Sequence, residues 1–356
     1  MCLKLLWKWW RKNLEKNRIF YLDVARTIAI LLVVFTHVHE QIGVKNDIIK
    51  SIFYSIDRVG VPIFFMLSGG LVLPKLIGKI DCLKFYKKRI PQFIILLFVY
   101  SVLTTTVQSY LINKNIIFSF LDALKNHNGI FPQNSGGAIQ MWFMYVIIQF
   151  YFFAPFLAKL LNQLSNKEIL ILLVLSLIPF HFRELFRVIF NTNLDILNIV
   201  GIDFLNPWLA YFLVGYLVIE RKIKNYLQLD YIMLVIPIMV LTIYEIYTKK
   251  FLEEFHWYAS SLFIFISSVG LFFLIKYYFE KVNSTSNIIY NISKFSFGIY
   301  LIHHLILYIV LYKLKNIIPK FIFGTRYLFV FVIVFLLSYI AVYLVSKVKA
   351  LRFFIG

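Results

Sequence analysis

The sequence predicts an all-α, polytopic integral membrane protein with about ten transmembrane helices and both termini in the cytoplasm. Hydrophobic residues make up 61% of the 356 positions and aromatic residues 19%, which lies outside the composition of soluble domains. Apolar runs long enough to cross a bilayer recur from end to end. The connections between them are too short for an appended soluble domain, so residues 1–356 are predicted to form one membrane domain.

Hydropathy divides the chain into ten predicted spans with approximate boundaries. They lie at 20–39, 52–73, 92–112, 141–161, 168–182, 205–219, 230–247, 258–279, 296–312 and 326–345. Residues 183–204 are predicted to form an amphipathic or re-entrant segment on the outer side. The longest outer connection, 113–140, contains His127 and ends in a stretch rich in glycine and polar residues. Such a long connection is typical of a flexible loop over a functional site.

The distribution of basic residues predicts the orientation of these spans, because cytoplasmic loops carry an excess of Lys and Arg. With the N-terminus inside, about 23 of the 37 Lys and Arg residues fall on the cytoplasmic side and about 13 outside. Residues 1–19 then form a basic cytoplasmic segment, and the even number of spans returns the C-terminus to the cytoplasm. Topology accounts for the net charge of +20, so no nucleic-acid partner is predicted.

Arg26 and His37 stand out in the first span, because residues 22–39 are otherwise almost wholly apolar. A charged side chain inside a membrane is costly and usually faces a protein interior or a cavity. The two residues are close to three helical turns apart, so they share one face and lie about 16 Å apart along the axis. They predict two points on one polar path, with Arg26 near the cytoplasm and His37 near the outer surface. Alternatively, Arg26 extends to the headgroups and His37 only ends the helix.

His39 and Glu40 extend the polar cluster at the outer end of this span. Glu40 lies three positions after His37 and therefore shares its face. His37 and His39 point to opposite sides of the helix, a spacing that disfavours a zinc site. An imidazole beside a carboxylate predicts that His37 acts either as a general base or as a covalent acyl carrier.

Asp57 and Arg58 open the second span, in the run DRVGVPIFFMLSGGLVLP. One interpretation is a salt pair at the membrane interface, followed by close helix packing through the small residues of this run. The functional interpretation is that Arg58 neutralises an anionic group or a developing oxyanion near His37. The sequence alone leaves both interpretations open.

A basic cluster occupies the predicted cytoplasmic side at residues 85–91, FYKKRIP, and contains Lys87, Lys88 and Arg89. The cluster satisfies the positive-inside rule without any further role. Cationic side chains are also the usual binders of phosphate groups. Because the cluster is predicted to lie below Arg26, the alternative is a site for a phosphate-rich cytoplasmic ligand.

His303 and His304 lie in the ninth predicted span. They are interpreted as packing residues, and the sequence defines no role for them or for His127. The chain contains no GxGxxG, P-loop, HExxH, paired CxxC or GxSxG pattern. Neither nucleotide hydrolysis nor a metal centre is therefore predicted.

Several segments, taken together and in order, resemble the acyltransferase-3 family of membrane acyltransferases, and in particular its surface-polysaccharide O-acetyltransferase branch. They are LDVARTIAILLVVFTHVH, DRVGVPIFFMLSGGLVL, FYKKRIP, MWFMYVIIQFYFFAP, YFLVGYLV and SFGIYLIHHLI. The resemblance covers nearly the whole chain and implies a fold of about ten helices. Two positions depart from the family pattern. Tyr86 stands where an arginine often precedes Arg89 by three residues, and Gln140-Met141 replaces a frequent His-Leu before the tryptophan of the fourth span.

The resemblance implies an O-acyltransferase that moves an acyl group, usually acetyl, from cytoplasmic acetyl-CoA to a hydroxyl of a cell-surface polysaccharide or glycolipid. It implies a place in the bacterial plasma membrane, with the lipid bilayer, acyl-CoA and a glycan or glycolipid acceptor as partners, and no metal. The residues it carries over are His37, Arg26 and Arg58 for catalysis, and Arg26, Lys87, Lys88 and Arg89 for binding CoA.

Two other functions stay open at this point. A transporter or flippase of glycan or acylated intermediates also needs a polar path through about ten helices. A structural partner in a polysaccharide-synthesis complex needs neither Arg26 nor His37. The sequence leaves the acceptor, the length of the acyl group and the choice between base and acyl carrier at His37 open.

Overall fold

The computed structural model describes residues 19–77, 81–125, 137–192, 206–224, 226–282, 286–318 and 324–356 of the chain. Within these ranges the chain forms helices and no β-strand, as the predicted fold class requires. Residues 1–18 of the predicted basic segment lie outside the described ranges, and so does His127 in the long outer connection.

Fourteen α-helices follow one another in the described residues. They are α1 (Phe20–Ile42), α2 (Asp47–Asp57), α3 (Gly60–Val72), α4 (Cys82–Asn113), α5 (Ile116–Lys125), α6 (Trp142–Gln163), α7 (Asn166–Leu177), α8 (Arg183–Phe190), α9 (Leu209–Ile219), α10 (Leu227–Thr248), α11 (Glu253–His256), α12 (Leu262–Phe279), α13 (Asn287–Leu314) and α14 (Thr325–Lys347). Short 3₁₀ turns occupy Pro74–Leu76, Ile139–Met141 and Lys349–Ile355.

Nine stretches of the described chain are long and apolar enough to cross a bilayer. They are Phe20–Ile42, Asp47–Leu76, Cys82–Asn113, Ile139–Gln163, Asn166–Phe190, Leu227–Thr248, Leu262–Phe279, Asn287–Leu314 and Thr325–Lys347. Each corresponds to one predicted span, and the remaining prediction, at 205–219, corresponds to the shorter apolar helix α9. The predicted fold class, an all-helical polytopic membrane protein, is confirmed.

The segment after the fifth predicted span continues that span as a helix. A π-helical turn at Ile178–Phe182 joins α7 to α8. Pro179 lies in this turn, and a proline, which has no N–H, interrupts the regular pattern of helical hydrogen bonds. The segment predicted at 183–204 therefore begins as α8, while its residues 193–204 lie outside the described chain.

The short helix α9 lies inside the bundle, directly against α3. Nine consecutive residues, 210–218, are buried. A Cβ atom added to Gly215 would lie 1.8 Å from the carbonyl oxygen of Met66, and one added to Gly69 would lie 2.2 Å from that of Phe212. Small residues at both contacts let the two backbones touch, as is common between membrane helices.

Helix α1 is the central element of the bundle and packs against α3, α12, α13 and α14. Ala25, Ala29, Ile30 and Val34 have no exposed surface. The hydroxyl of Ser293 on α13 donates a hydrogen bond of 2.5 Å to Asp23 near the start of α1. By contrast, α10 and α14 carry many exposed apolar side chains and so present lipid-facing surfaces. Of the candidate residues on α1, His37 is therefore buried in the bundle, whereas Arg26 is only partly buried.

Candidate active site

His37 and Glu40 form a hydrogen-bonded pair in the last turns of α1. Nδ1 of His37 lies 3.0 Å from Oε2 of Glu40, so the carboxylate favours the tautomer in which Nδ1 carries the proton and donates it. Nε2 then keeps its lone pair and is available as a base or a nucleophile. The three-residue spacing predicted a shared face, and the contact confirms it.

Arg58, at the junction of α2 and α3, is buried and bonded to the same carboxylate. Its Nη2 donates to Oε1 of Glu40, and its Nη1 donates to the hydroxyl of Tyr258 over 2.7 Å. The guanidinium also lies over the ring of Tyr54, with Cζ 4.6 Å from the ring centroid. Glu40 therefore uses one oxygen for His37 and the other for Arg58, which fixes the carboxylate in place.

A second buried pair reinforces this arrangement. Nε2 of His39 lies 2.5 Å from Oδ2 of Asp57, and both side chains are fully buried. The neighbouring residues 39 and 40 of α1 thus pair with the neighbouring residues 57 and 58 at the end of α2. Asp57 and Arg58 do not pair as an interfacial couple. Instead, each binds the outer end of α1, which aligns the two helices.

A small cavity lies beside His37. It has a volume of about 30 Å³ and is lined by Val33, His37, Val61, Phe64, Gln140, Trp142, Phe143, Phe297 and Tyr300. Its wall is mainly apolar and aromatic, and Gln140 is one of its lining residues. The amide is buried, and neither its nitrogen nor its oxygen has a hydrogen-bond partner among the described residues. Arg58 is not part of this lining.

His303 and His304 on α13 approach His37 from across the bundle. Their ring centroids lie 5.3 Å and 5.1 Å from that of His37. Nδ1 of His303 donates to the carbonyl of Tyr300 over 2.7 Å. Both imidazoles are fully buried, and in the described chain neither nitrogen of His304 has a partner. The sequence identified these histidines as intramembrane residues but did not predict that they meet His37.

A much larger cavity surrounds Arg26 at the predicted cytoplasmic end of α1. Its volume is about 910 Å³. Five of its lining residues are cationic, namely Arg26, Lys75, Lys84, Lys88 and Arg89, and two are acidic, namely Asp23 and Asp81. Four of these cations are exposed and Arg26 is partly buried, so the cavity opens to the surface. Its charge suits a ligand with several negative groups.

The structure brings three of the four residues predicted to bind CoA to this cavity. Arg26, Lys88 and Arg89 line it, whereas Lys87 is exposed and lies outside the lining. Tyr86, at the position where the family often has arginine, donates its hydroxyl to the carbonyl of Phe152 over 2.7 Å. The cavity of Arg26 and the cavity of His37 have no lining residue in common.

A third cavity, of about 400 Å³, lies at the predicted outer end of the bundle. It is lined by Glu184, Arg187, Glu253, Glu254, Trp257 and Ser260. The ring of Trp257 is 37% exposed and its centroid lies 5.5 Å from that of Trp142. Since Trp142 also lines the cavity of His37, the linings of the outer and inner cavities are in aromatic contact through these two residues.

Sequence reasoning missed Tyr258, and it did not connect Gln140 with His37. Tyr258 precedes α12, and its ring stacks on Trp142 with centroids 5.4 Å apart. No local motif marks Tyr258, because its role depends on a contact with a residue 200 positions away. Gln149, on α6, accepts a hydrogen bond of 2.9 Å from Asn206. Among the described residues no group of three or more His, Cys, Asp or Glu side chains is arranged to hold a metal ion.

Comparison with known proteins gives one match. The sequence model described as the acyltransferase domain, of the acyltransferase-3 type, matches residues 19–344. This range contains α1 to α13, most of α14 and every residue of the three cavities. No curated protein and no solved structure matches the chain.

Proposed function

Because the chain belongs to the acyltransferase-3 family and is therefore a membrane acyltransferase, we propose that it acetylates a glycan at the outer face of the bacterial plasma membrane. The donor is cytoplasmic acetyl-CoA, and the acceptor is a hydroxyl of a surface polysaccharide or glycolipid. The observation that carries this proposal is that α1 bears the His37–Glu40 pair near one end and a large basic cavity near the other.

The basic cavity is the proposed donor site. CoA carries several phosphate charges on one end and the thioester on the other, joined by a thin, uncharged arm. Exposed Lys84, Lys88 and Arg89 suit the phosphates, since cationic side chains form charge-assisted hydrogen bonds with phosphate oxygens. Arg26 lies on the part of this cavity formed by α1. From there the arm has to cover about 16 Å along α1 to bring the thioester to His37.

His37 is the proposed catalytic centre. Its Nε2 either removes the proton of the acceptor hydroxyl or attacks the thioester and carries the acetyl group itself. Glu40 stabilises the imidazolium that the first route forms, and it orients the ring in both routes. Arg58 binds the other oxygen of Glu40 and holds the carboxylate in its orientation, so it supports catalysis through Glu40.

The outer cavity is the proposed acceptor site. Trp257 offers a partly exposed aromatic face, on which the apolar side of a sugar ring packs, and the surrounding polar side chains suit its hydroxyl groups. An acceptor bound there lies beside Trp257, whose ring contacts Trp142 in the wall of the His37 cavity. Donor and acceptor thus reach His37 from opposite sides of the membrane.

The experiment uses the purified chain in lipid nanodiscs with radiolabelled acetyl-CoA and chitotetraose, a neutral oligosaccharide, as acceptor. Free CoA and labelled oligosaccharide are measured together. We expect wild-type protein to release CoA and label the sugar, and we expect His37→Ala to do neither. Lys224→Glu, a charge reversal in another predicted cytoplasmic loop, is the control and stays active.

A transporter gives a different outcome in the same material. Proteoliposomes of wild-type chain would then move labelled oligosaccharide across the bilayer without consuming acetyl-CoA. Wild-type activity retained in His37→Ala, at equal protein level, would also contradict the proposal. The two cavities along α1 share no lining residue, so transport and acyl transfer both require the bundle to open between Arg26 and His37, and the assays above decide between them.

A further inference from the structure

We propose that Gln140 is a catalytic residue, whose side-chain amide donates a hydrogen bond to the acyl carbonyl oxygen in an acetyl-sized pocket beside His37. This inference rests on the proposed function and adds to it the group that stabilises the oxyanion and the reason for acetyl selectivity. It starts from a buried amide without a hydrogen-bond partner in the described chain, on a residue that lines the small cavity together with His37.

The side chain of Gln140 is buried without the partners that a buried amide requires. Its residue exposure is 1%, and in the described part of the chain neither Nε2 nor Oε1 accepts or donates a hydrogen bond. Buried polar groups are rarely left unbonded, and those that are call for an explanation such as a missing ligand. Gln140 and His37 line the same cavity, so a ligand there would contact both.

Hydrogen bonds fix the backbone of the residue that carries this amide before any ligand binds. Gln140 belongs to the 3₁₀ turn that precedes α6, and its carbonyl accepts a hydrogen bond of 2.7 Å from the hydroxyl of Tyr300. The backbone N–H of Met141 donates a hydrogen bond of 3.0 Å to the carbonyl of Ala138. Preorganised donors of this kind stabilise a developing oxyanion, because they need no reorganisation during the reaction.

The sequence predicted that Arg58 could stabilise the oxyanion, but in the structure its guanidinium binds other groups. Both terminal nitrogens of its guanidinium are bonded, one to Glu40 and one to the hydroxyl of Tyr258. It is absent from the lining of the His37 cavity. Arg58 is therefore a positioning residue that acts through Glu40, and Gln140 is a lining residue of the cavity with an amide that has no partner in the described chain.

The size of the cavity selects the acyl group. A volume of about 30 Å³ corresponds to about two water positions, so the space beside His37 admits only a small acyl group. Phe64, Phe143 and Phe297 form much of its wall. A chain longer by two carbons would have to displace one of these rings, so the pocket selects acetyl over butyryl.

The chemical step balances as follows when His37 acts as the base. The acceptor oxygen forms a bond to the thioester carbonyl carbon, and its proton passes to Nε2 of His37. The carbonyl π electrons move to oxygen, where Nε2–H of Gln140 donates to the oxyanion. The intermediate then expels the CoA thiolate, which takes the proton from His37, giving the acetyl ester and free CoA. If His37 itself carries the acetyl group, Gln140 serves the same oxygen in each half-reaction.

The test compares two glutamines of the same transmembrane stretch, Gln140→Leu and Gln149→Leu. Gln149 bonds to Asn206 and lines a different cavity, so it is the matched control. In nanodiscs with acetyl-CoA and chitotetraose, we expect Gln140→Leu to lower kcat about 100-fold or more with little change in KM for acetyl-CoA. Its Tm should stay equal or rise, because an unpaired buried amide is replaced by an apolar side chain. Gln149→Leu should keep wild-type kcat.

Two further variants complete the test. Gln140→His, which restores an N–H donor, should recover part of kcat. Phe64→Ala should raise the butyryl-CoA to acetyl-CoA ratio of kcat/KM about tenfold or more. Gln140→Leu with wild-type kcat, while His37→Ala is inactive, would overturn the role of Gln140 and leave the proposed function standing. If wild-type chain releases no CoA at all, the proposed function fails, and the role of Gln140 fails with it.

Discussion

Glu40→Gln is the substitution that best separates catalysis from packing in this site. The change keeps the size of the side chain and removes its charge. In wild type, Oε2 of Glu40 lies 3.0 Å from Nδ1 of His37. If His37 takes up a proton during transfer, this carboxylate stabilises the imidazolium.

The magnitude follows from the distance. Two unit charges 3.0 Å apart interact by about 5 kcal/mol at an effective dielectric constant of about 20. Because 1.4 kcal/mol corresponds to about a factor of ten in rate, the full term is worth about 10³- to 10⁴-fold. The side chain of Glu40 is 19% exposed, which weakens the interaction, so we expect kcat to fall about a thousandfold.

The same change also disturbs Arg58. Its side chain is only 7% exposed, and without Glu40 its charge is no longer balanced by this carboxylate. Removing one partner of a buried ion pair costs about 3 kcal/mol or more of folding free energy. We therefore expect a lower Tm for Glu40→Gln in detergent. In the double variant Glu40→Gln, Arg58→Met, the Tm should recover because the unbalanced charge is gone, but kcat should not.

The assay is steady-state release of CoA at saturating chitotetraose, with Tm measured on the same preparations by intrinsic fluorescence. A kcat within tenfold of wild type for Glu40→Gln would refute the electrostatic role of the carboxylate. Recovery of kcat in the double variant would show that the single variant was inactive only because it was unstable.

Three further predictions concern the donor site, the helix packing and the orientation. Lys88→Glu should raise KM for acetyl-CoA about tenfold in steady-state kinetics, because it opposes a phosphate in the basic cavity, whereas the charge-matched Lys224→Glu should not. Gly215→Ala should destabilise the chain by about 2–3 kcal/mol in a denaturation series, since its Cβ would lie 1.8 Å from a carbonyl oxygen of α3; an unchanged Tm would contradict the close packing. With Cys2 replaced by Ser, Cys82, which is partly exposed, should react with a membrane-impermeant maleimide only after cells are permeabilised, and labelling of intact cells would reverse the predicted orientation.

The fold was predictable from sequence because a bilayer forces the backbone of each span to satisfy its own hydrogen bonds as a helix. Each long run of apolar residues therefore predicts one membrane-spanning helix. The length of α9 was not predictable in this way. The helix has 11 residues, and those from 210 to 218 are buried. This burial depends on glycine contacts between α9 and α3, which the sequence of either helix alone does not reveal.

The site was predictable only where it is local. The spacing of His37 and Glu40 on one helix was sufficient to predict their contact. Arg58 was identified as functional, but its bond to Glu40 depends on how α2 folds back against α1. His304 lies more than 200 positions from His37, and Tyr258 lies 200 positions from Arg58, so only tertiary packing brings them to the site.

The separation of the two cavities along α1 has a consequence for the cell that contains this protein. Between Arg26 and His37, Ala29 and Ile30 have no exposed surface, and the cavities on either side share no lining residue. A continuous water-filled channel would let protons leak and dissipate the membrane potential. In the state described, buried apolar side chains close the bundle at this level. Any donor arm that reaches His37 from the Arg26 cavity therefore has to part these side chains, and the bundle has to close again after each turnover to keep the membrane electrically tight.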